Sequence, residues 1–496
     1  MELVMDIAAF LVNAIRGGLG NLAAYLAAHV LLCLLPAFYI AGAMTALIPK
    51  ESVTRFLGRN TRQAVSYPAA ALAGGLLAVC SCTIVPLFAG IYKKGAGIGP
   101  AITFLFFAPA ANVLALVYTG SVIGVDLALA RFFLSLAFGI GIGLIMALLF
   151  RSEDAAHDAA TSQMFAAQSV KGISRSALIF LLSWIALLLF GTLKLDFLTD
   201  SYLNTNLPLP GAQEFQALLD RLVPFDAGKG EEGISLQGVI LILLLAAIGL
   251  ASWRGFERIH EGFSAWTRAA IALIGWTLLV AALNMQSTPT GLRVGFTGKF
   301  FGVLLALAVL FQLGRAYLSD DALRDWLWES WRFVKQIFPL LVVGVFLVGV
   351  IRVLIRPEWI ESLAGSNTPL GNLTGVAFGV FMYFPTLVEV PIAQMFLRLG
   401  MHRGPLLAYL MADPELSLQS ILILSAVIGK LKTWTYVGWV ALFSTVAGLI
   451  YGAWVDGMSL GVVVLYLALF LTLLGLALWL VNPRNNQLDA KQGQTF

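Results

Sequence analysis

Charge is what this sequence most lacks. Asp, Glu, Lys and Arg make up 12% of its 496 residues, whereas 59% are hydrophobic. A soluble globular chain carries about a quarter charged residues. So few charges cannot cover so much apolar surface in water, which excludes an ordinary soluble enzyme and makes the bilayer the solvent. Cysteine is nearly absent as well. Cys33, Cys80 and Cys82 are the three, all in apolar stretches, so no disulfide scaffold is expected. With four histidines and no H-E-x-x-H, an intramembrane metalloprotease drops out. No G-x-x-x-x-G-K-[ST] occurs, so ATP hydrolysis by this chain is not expected. The net charge of +4 is small and points to no nucleic-acid partner. No cofactor is implied, and the chain does not read as an enzyme.

What is present is a series of apolar runs. A spanning helix needs roughly 20 mostly apolar residues, and the runs suggest about a dozen membrane segments. Those near 65–79, 83–92, 98–124 and 370–424 are broken by Pro, Gly and polar residues. The first residues, MELVMDIAAF, carry an acidic flank rather than the basic one of a signal peptide. At helical spacing Glu2, Asp6, Asn13 and Arg16 share one face, which predicts an amphipathic helix at the membrane interface.

The chain also matches itself. At a shift of 305, Gly74 meets Gly379, Pro86 meets Pro391, Gly95 meets Gly400, Gly99-Pro100 meets Gly404-Pro405, and Pro109 meets Pro414. Upstream the shift is 307, where Gly42 meets Gly349 and Gly58 meets Gly365. Pro and Gly dictate backbone shape, so their agreement at one offset is unlike a chance match of Leu or Val. The expected architecture is an all-α polytopic membrane protein: two structural repeats of interrupted transmembrane helices plus an inserted four-helix accessory segment. Its parts are an interfacial helix (1–22), a first repeat (23–150), the accessory segment (151–330), a second repeat (331–455), and a last helix with a polar tail (456–496). Paired, interrupted segments in two halves of a chain are the best sequence pointer to a transporter's binding site.

The interruptions carry the chemistry. In Cys80-Ser81-Cys82, residues two apart face the same way if the backbone is unwound. Pro86 favours that, because it cannot donate to the Cys82 carbonyl. Two converging thiols select soft ions such as Cu(I), Zn or trivalent arsenic, so Cys80 and Cys82 are candidate metal or metalloid ligands; packing as small apolar residues is the bland alternative. In the second copy Thr386, Glu389 and Gln394 surround Pro391, and a carboxylate within an apolar segment is a functional candidate by default. Next come the Pro turns, Pro109 with Asn112 in one copy, and Asp413, Pro414, Glu415 and Ser417 in the other. Carbonyls left unpaired there are tolerated at depth only beside a cavity or ligand. Glu389, Asp413 and Glu415 are the candidate proton-coupling groups; solvated carboxylates at the interface are the plain alternative.

The run CSCTIVPLFAGIYKKGAGIGPAITFLFFAPAAN resembles the ArsP/YraQ permease family, also described as the domain-of-unknown-function 318 (UPF0718) permeases. The family pattern is C-S-C-x-x-x-P, then G-x-x-x-G-P/A, then F-L-x-x-P-x-x-N. The resemblance covers the two repeats, about half the chain by extent, and leaves out 151–330. It implies a permease, with export of trivalent organoarsenicals as the best-known activity. Carried over, Cys80 and Cys82 become thiol ligands, with Ser81, Pro86, Pro109 and Asn112 shaping the site. The second copy departs from this pattern: Pro385-Thr386-Leu387 stands where the first has Cys80-Ser81-Cys82.

The reading is thus a multi-pass permease of the cell inner membrane, exporting a soft metalloid or metal species by a secondary-active, proton-coupled route. Its partners are a small-molecule or metalloid substrate and the lipid bilayer; self-association into a homo-oligomer stays open. The alternatives are a permease for a different small solute using the carboxylate half of the site, a membrane thiol oxidoreductase, and a non-catalytic membrane subunit.

Overall fold

A computed structural model describes the chain except residues 1, 29, 49, 60, 77–80, 166–173, 194, 224, 227–230, 354–357, 383–385 and 482–496, and except some side chains beside these gaps. The fold is mostly helical. The N-terminal part comprises α1 (Glu2–Ala28), a π-helical turn at Val30–Leu34, α2 (Leu35–Leu47), α3 (Lys50–Leu57), α4 (Gln63–Leu76), α5 (Ser81–Lys93), α6 (Ile98–Ala110), α7 (Val113–Val122), α8 (Val125–Leu149) and α9 (Arg151–Phe165). The middle comprises α10 (Arg175–Thr192), α11 (Asp196–Thr199), β1 (Ser201–Leu207), α12 (Ala212–Leu222), β2 (Phe225–Asp226), β3 (Glu231–Glu232), α13 (Leu236–Phe256), α14 (Ala265–Ala281), β4 (Leu283–Thr288), β5 (Gly291–Thr297) and α15 (Gly298–Tyr317). The last part comprises α16 (Asp320–Arg352), α17 (Glu358–Ala364), α18 (Pro369–Phe381), α19 (Thr386–Arg398), α20 (Arg403–Ala412), α21 (Leu418–Ile428), α22 (Lys430–Val455) and α23 (Leu460–Val481).

Among the described residues, seven helices are long and apolar enough to cross a bilayer, or eight if the bent pair Val12–Ala27 and Leu31–Leu47 counts as one span. That is fewer than the apolar runs suggest, because several runs fold into half-length helices. Both α4 and α5 have too few residues (14 and 13) to cross; at 1.5 Å per residue each reaches about 20 Å of a core about 30 Å thick. As half-length helices they fit a re-entrant hairpin rather than two crossings. Tyr67 of α4 lies at Gly99 of α6, and Gly74 lies at Ala108, so α4 runs parallel to α6. The turn from Lys93 to Ile98 brings α5 back to the same side, where the Gly97 N–H donates to the Leu57 carbonyl at 2.8 Å. The α18–α19 pair is built alike: Gly375 lies at Pro405, Gly379 lies at Asp413, and the His402 N–H donates to the Ala364 carbonyl at 2.9 Å.

The other interrupted stretches are breaks within longer helices. Here α6 stops at Ala110 and α7 restarts at Val113, and α20 stops at Ala412 with α21 restarting at Leu418. Each restart is capped by a side chain. The Asn112 Oδ1 accepts the Ala115 N–H at 2.9 Å, and the Ser417 Oγ accepts the Ser420 N–H at 3.3 Å. Such N-caps supply partners that buried helix starts otherwise lack.

Glycine sets the helix–helix spacing. A Cβ on Gly143 of α8 would stand 2.6 Å from the Gly99 carbonyl oxygen of α6, and one on Gly448 of α22 would stand 2.6 Å from that of Gly404 of α20. The tight turns before α6 and α20 use Gly95 and Gly400, whose φ values of 88° and 90° favour glycine.

The long helices α8 and α22 run antiparallel along one seam. Asp126 at the start of α8 accepts from Tyr451 OH near the end of α22 at 2.8 Å. Phe138 packs on Phe443 at mid-length, and Glu153 just past α8 pairs with Lys432 at the start of α22 at 2.8 Å. Likewise α1 and α2 run antiparallel to α16. Gly17 and Gly18 pack against Gly349 and Phe346, the Asn21 Nδ2 donates to the Val345 carbonyl, and the Trp326 Nε1 donates to the Tyr39 carbonyl.

The middle segment differs from the expected four plain helices. Of its apolar helices α10, α13 and α15 are long enough to span, and α14 has 17 residues. The stretch read as a loop, 194–234, carries β1 and the helix α12. Strand β1 pairs antiparallel with β5, and β5 with β4, giving a sheet ordered β1-β5-β4. These strands abut helices that dominate the hydropathy pattern, so the all-α expectation missed them. Polar α9 docks back on α5 and α6: the Asp154 Oδ1 accepts the Ile98 N–H at the start of α6 at 3.0 Å, and His157 stacks on Tyr92.

Two outcomes follow. Gly448→Val forces α22 away from α20 and should cost about 1–3 kcal/mol, read as a lower unfolding midpoint in detergent; an unchanged midpoint would refute the close packing. Burial pushes the Asp154 carboxyl above the ordinary carboxylate range. The folded form therefore holds its proton to higher pH than the unfolded chain, and stability declines as pH rises from the ordinary carboxylate pKa through the raised one. Asp154→Asn should flatten that decline in a pH series of thermal melts, and an identical slope would count against it.

Candidate functional site

The two helix breaks meet in the interior. Ala110, at the end of α6, has its backbone beside the Glu415 carboxylate, which lies in the break between α20 and α21. The Ala110 carbonyl in turn accepts from Arg131 Nε of α8 at 2.6 Å. Arg131 is fully buried, seven positions into an apolar span. Its Nη1 donates to Thr119 Oγ1 of α7 at 3.2 Å, and its Nη2 stands 2.6 Å from Glu389 Oε1 of α19. Both side chains of that ion pair are 0% exposed. On the far side the Tyr436 OH of α22 donates to Glu415 Oε2 at 2.9 Å. One connected path therefore runs Tyr436, Glu415, Ala110, Arg131, Glu389, joining α22, both breaks, α8 and a re-entrant helix.

The path is rich in acid. Glu389, Asp413 and Glu415 are all at least 97% buried, and the Arg131 guanidinium pairs with Glu389. Carboxylates in a low dielectric are costly to ionise without counter-charge, so buried acids of this kind invite protons. Some polar atoms here lack hydrogen-bond partners among the described residues: Glu389 Oε2, Glu415 Oε1, and both carboxamide atoms of fully buried Gln419 on α21. Buried groups of this kind call for water, an ion or a ligand.

Most of the residues singled out from sequence sit on this path or beside it. Pro109 is in the last turn of α6 and Asn112 caps α7, its Nδ2 reaching the Pro109 carbonyl at 3.4 Å. Asp413 ends α20, Pro414 and Glu415 form the break, and Ser417 caps α21 while donating to Ser420 Oγ at 2.7 Å. Glu389 is in the first turn of α19, with Gln394 half-buried one turn on. Thr386 begins α19, and its side chain lies outside the described residues.

The thiol segment needs one correction. Ser81 and Cys82 already stand in helix α5, which runs on through Pro86, so the chain is not unwound at Cys82. A helix tolerates Pro86 near its start at the cost of a missing bond to the Cys82 carbonyl. Cys80 and the side chains of Ser81 and Cys82 lie outside the described residues, and so does the expected convergence of the two thiols. Among the described residues no three His, Cys, Asp or Glu side chains gather as a metal site. Cys33, the remaining thiol, is buried with its Sγ 2.6 Å from the Oγ1 of Thr83, the residue after Cys82.

Sequence reasoning missed Arg131, Tyr436 and Gln419. Arg131 had a usable signal, as a cation inside the run VDLALARFFLSLAF. Tyr436 and Gln419 had none, because a Tyr or Gln in a spanning helix is unremarkable without its neighbours.

Removing one partner of a buried ion pair leaves an uncompensated charge. Arg131→Ala should destabilise by about 3–5 kcal/mol, and the double replacement Arg131→Met with Glu389→Leu by far less. Thermal melts of the single and double variants check this; additive losses would mean that the pair is not coupled.

Comparison with known sequences follows the same outline. The sequence profile of ArsP_1, a family described as predicted permease, matches residues 17–453. The UPF0718 protein MJ0584 of Methanocaldococcus jannaschii is 32% identical over 448 residues, covering 90% of this chain and 98% of that protein. The UPF0718 protein YraQ of Escherichia coli K12 is 27% identical over 118 residues, 24% of this chain and 34% of that protein. No solved structure matches. The similarity therefore runs through 151–330, contrary to the expectation that this segment lies outside the family pattern.

Proposed function

The chain belongs to the ArsP_1 family of predicted permeases, and on that premise we propose that it is a secondary-active permease of the cell inner membrane whose substrate crosses at the paired helix breaks. The observation that carries this reading is the fully buried Arg131–Glu389 ion pair, continued through Ala110 to Glu415 and Tyr436. Intramembrane ionisable groups of this kind mark ion and substrate pathways.

The transport core is two copies of one unit. In support, α5 and α19 begin and end 305 residues apart, at Ser81 and Thr386 and at Lys93 and Arg398. The positive-φ glycines Gly95 and Gly400, and Gly124 and Gly429, keep the same offset. The glycine contacts of α6 with α8 recur between α20 and α22. The copies are inverted relative to each other, because the equivalent spans α8 and α22 are antiparallel. Inverted copies with broken helices at mid-membrane are a common basis for alternating access.

The substrate is a soft metalloid or metal species, such as a trivalent organoarsenical, held by Cys80 and Cys82 and exported. Glu389, Asp413 and Glu415 carry the coupling protons. A second reading, a different small solute bound by the carboxylate half, is favoured by the unpartnered Glu415 Oε1 and Gln419 carboxamide.

Purified chain in liposomes with an imposed pH gradient should move a trivalent arsenical. Cys80→Ser with Cys82→Ser should abolish that flux, and Glu389→Gln should uncouple it from the gradient. Intact arsenical flux in the double serine variant would sink the thiol site. Loss of flux of other solutes in Glu415→Gln alone would favour the second reading.

A further inference from the structure

The two copies agree internally but not in what they lean on. In both, the first hairpin helix packs on the broken helix (α4 on α6, α18 on α20) and the broken helix packs on the long span (α6 on α8, α20 on α22). Around this core lies a scaffold of α1 and α2 against α16, whose members are equivalent: residues 13–45 of α1 and α2 correspond to 320–352 at the shift of 307. A scaffold centred on the two-fold relation would touch both copies alike.

It does not. Helix α2 packs along α5, yet among the described residues α16 has no comparable packing on α19, the counterpart of α5. Conversely α16 packs along α21, and α2 has none on α7, the counterpart of α21. The contacts that exist are close. A Cβ on Gly90 of α5 would lie 3.6 Å from the Ala41 Cβ of α2. On the other contact Gly344 of α16 abuts the Gln419 backbone, and the Gln336 Nε2 donates to the Ala426 carbonyl at 3.0 Å. Helices α5 and α21 touch one another, as do α7 and α19. The core thus has two equivalent faces, α5 with α21 and α7 with α19, and the scaffold covers only the first.

We infer that this is one of two docked states, and that in the other the scaffold lies across the second face, with α16 on α19 and α2 on α7. The inference rests on the permease reading and adds its moving parts: the core slides against the scaffold while the α8–α22 seam stays intact. Packed interfaces of this kind are bistable rather than continuously deformable. Side-chain size explains which state is seen. The α2–α5 seam has Ala41 against Gly90, whereas the equivalent positions on α16 and α19 are Val348 and Met395. Small residues allow the closer and more stable approach.

Paired cysteines test the exchange, in a chain whose Cys33, Cys80 and Cys82 are replaced by Ser. The Ala41→Cys/Gly90→Cys pair has a Cβ separation within disulfide range, and should close on mild oxidation in native membranes. Val348→Cys/Met395→Cys should be bridged in a smaller fraction by a short bis-thiosulfonate. With all four cysteines present, the two bridges should exclude each other in any one molecule. A second bridge that never forms, or that forms together with the first, overturns the inference. Spin labels at Val348 and Met395 give an independent readout, two distance populations being expected and a single long one refuting. Flux in liposomes, measured on the chain with its native cysteines, separates the two ideas: flux without exchange removes the inference and keeps the permease, whereas exchange without flux does the reverse.

Discussion

Hydrocarbon offers no hydrogen bonds, so any helix that breaks inside it must bring its own partners. That constraint governs the centre of this protein. The break after Ala110 is satisfied by Asn112 at the new helix start and by the Arg131 guanidinium at the old helix end. The break after Ala412 is satisfied by Ser417, with Tyr436 holding the nearby Glu415. Because these partners come from α8 and α22, the breaks fix those spans in place. The re-entrant hairpins then have a surface on which to end.

The equivalent positions use different chemistry for one task. Arg131 and Tyr436 are 305 residues apart, and so are Ala110 and Glu415. At Ala110 a cationic side chain meets a backbone carbonyl, and at Glu415 a phenol meets a carboxylate. The polar path therefore has direction, with its guanidinium against α19 at one end and its phenol on α22 at the other. A scaffold of near two-fold form surrounds a centre that is not two-fold.

Much of this was legible in the sequence, because Pro and Gly act locally. The 305-residue offset of Gly95 and Pro109 anticipated places where helices stop, and the structure breaks beside Pro109 and Pro414, whereas Pro86 and Gly99 lie inside helices. The carboxylates Glu389 and Glu415 were conspicuous for the same reason that they are costly. Partnership was not legible. Arg131 meets Glu389 across 258 positions, and no local pattern announces such a pair. Nor did hydropathy distinguish a crossing from a re-entrant hairpin, since α4 and α5 are as apolar as spans and differ in length. The strands β1, β4 and β5 were hidden because their alternation is brief and lies against longer helical runs.

The double duty of Arg131 has an evolutionary consequence. One guanidinium closes the end of α6 and neutralises Glu389, so a substitution that retunes the acid also unseats the backbone around the break. Drift toward a new substrate is then blocked at this position and is channelled to residues that carry chemistry without holding the helix end. Gln419 is such a residue, since neither atom of its carboxamide has a hydrogen-bond partner among the described residues. In a lineage descended from this chain, selectivity would be expected to diverge first around α21 and last around α8.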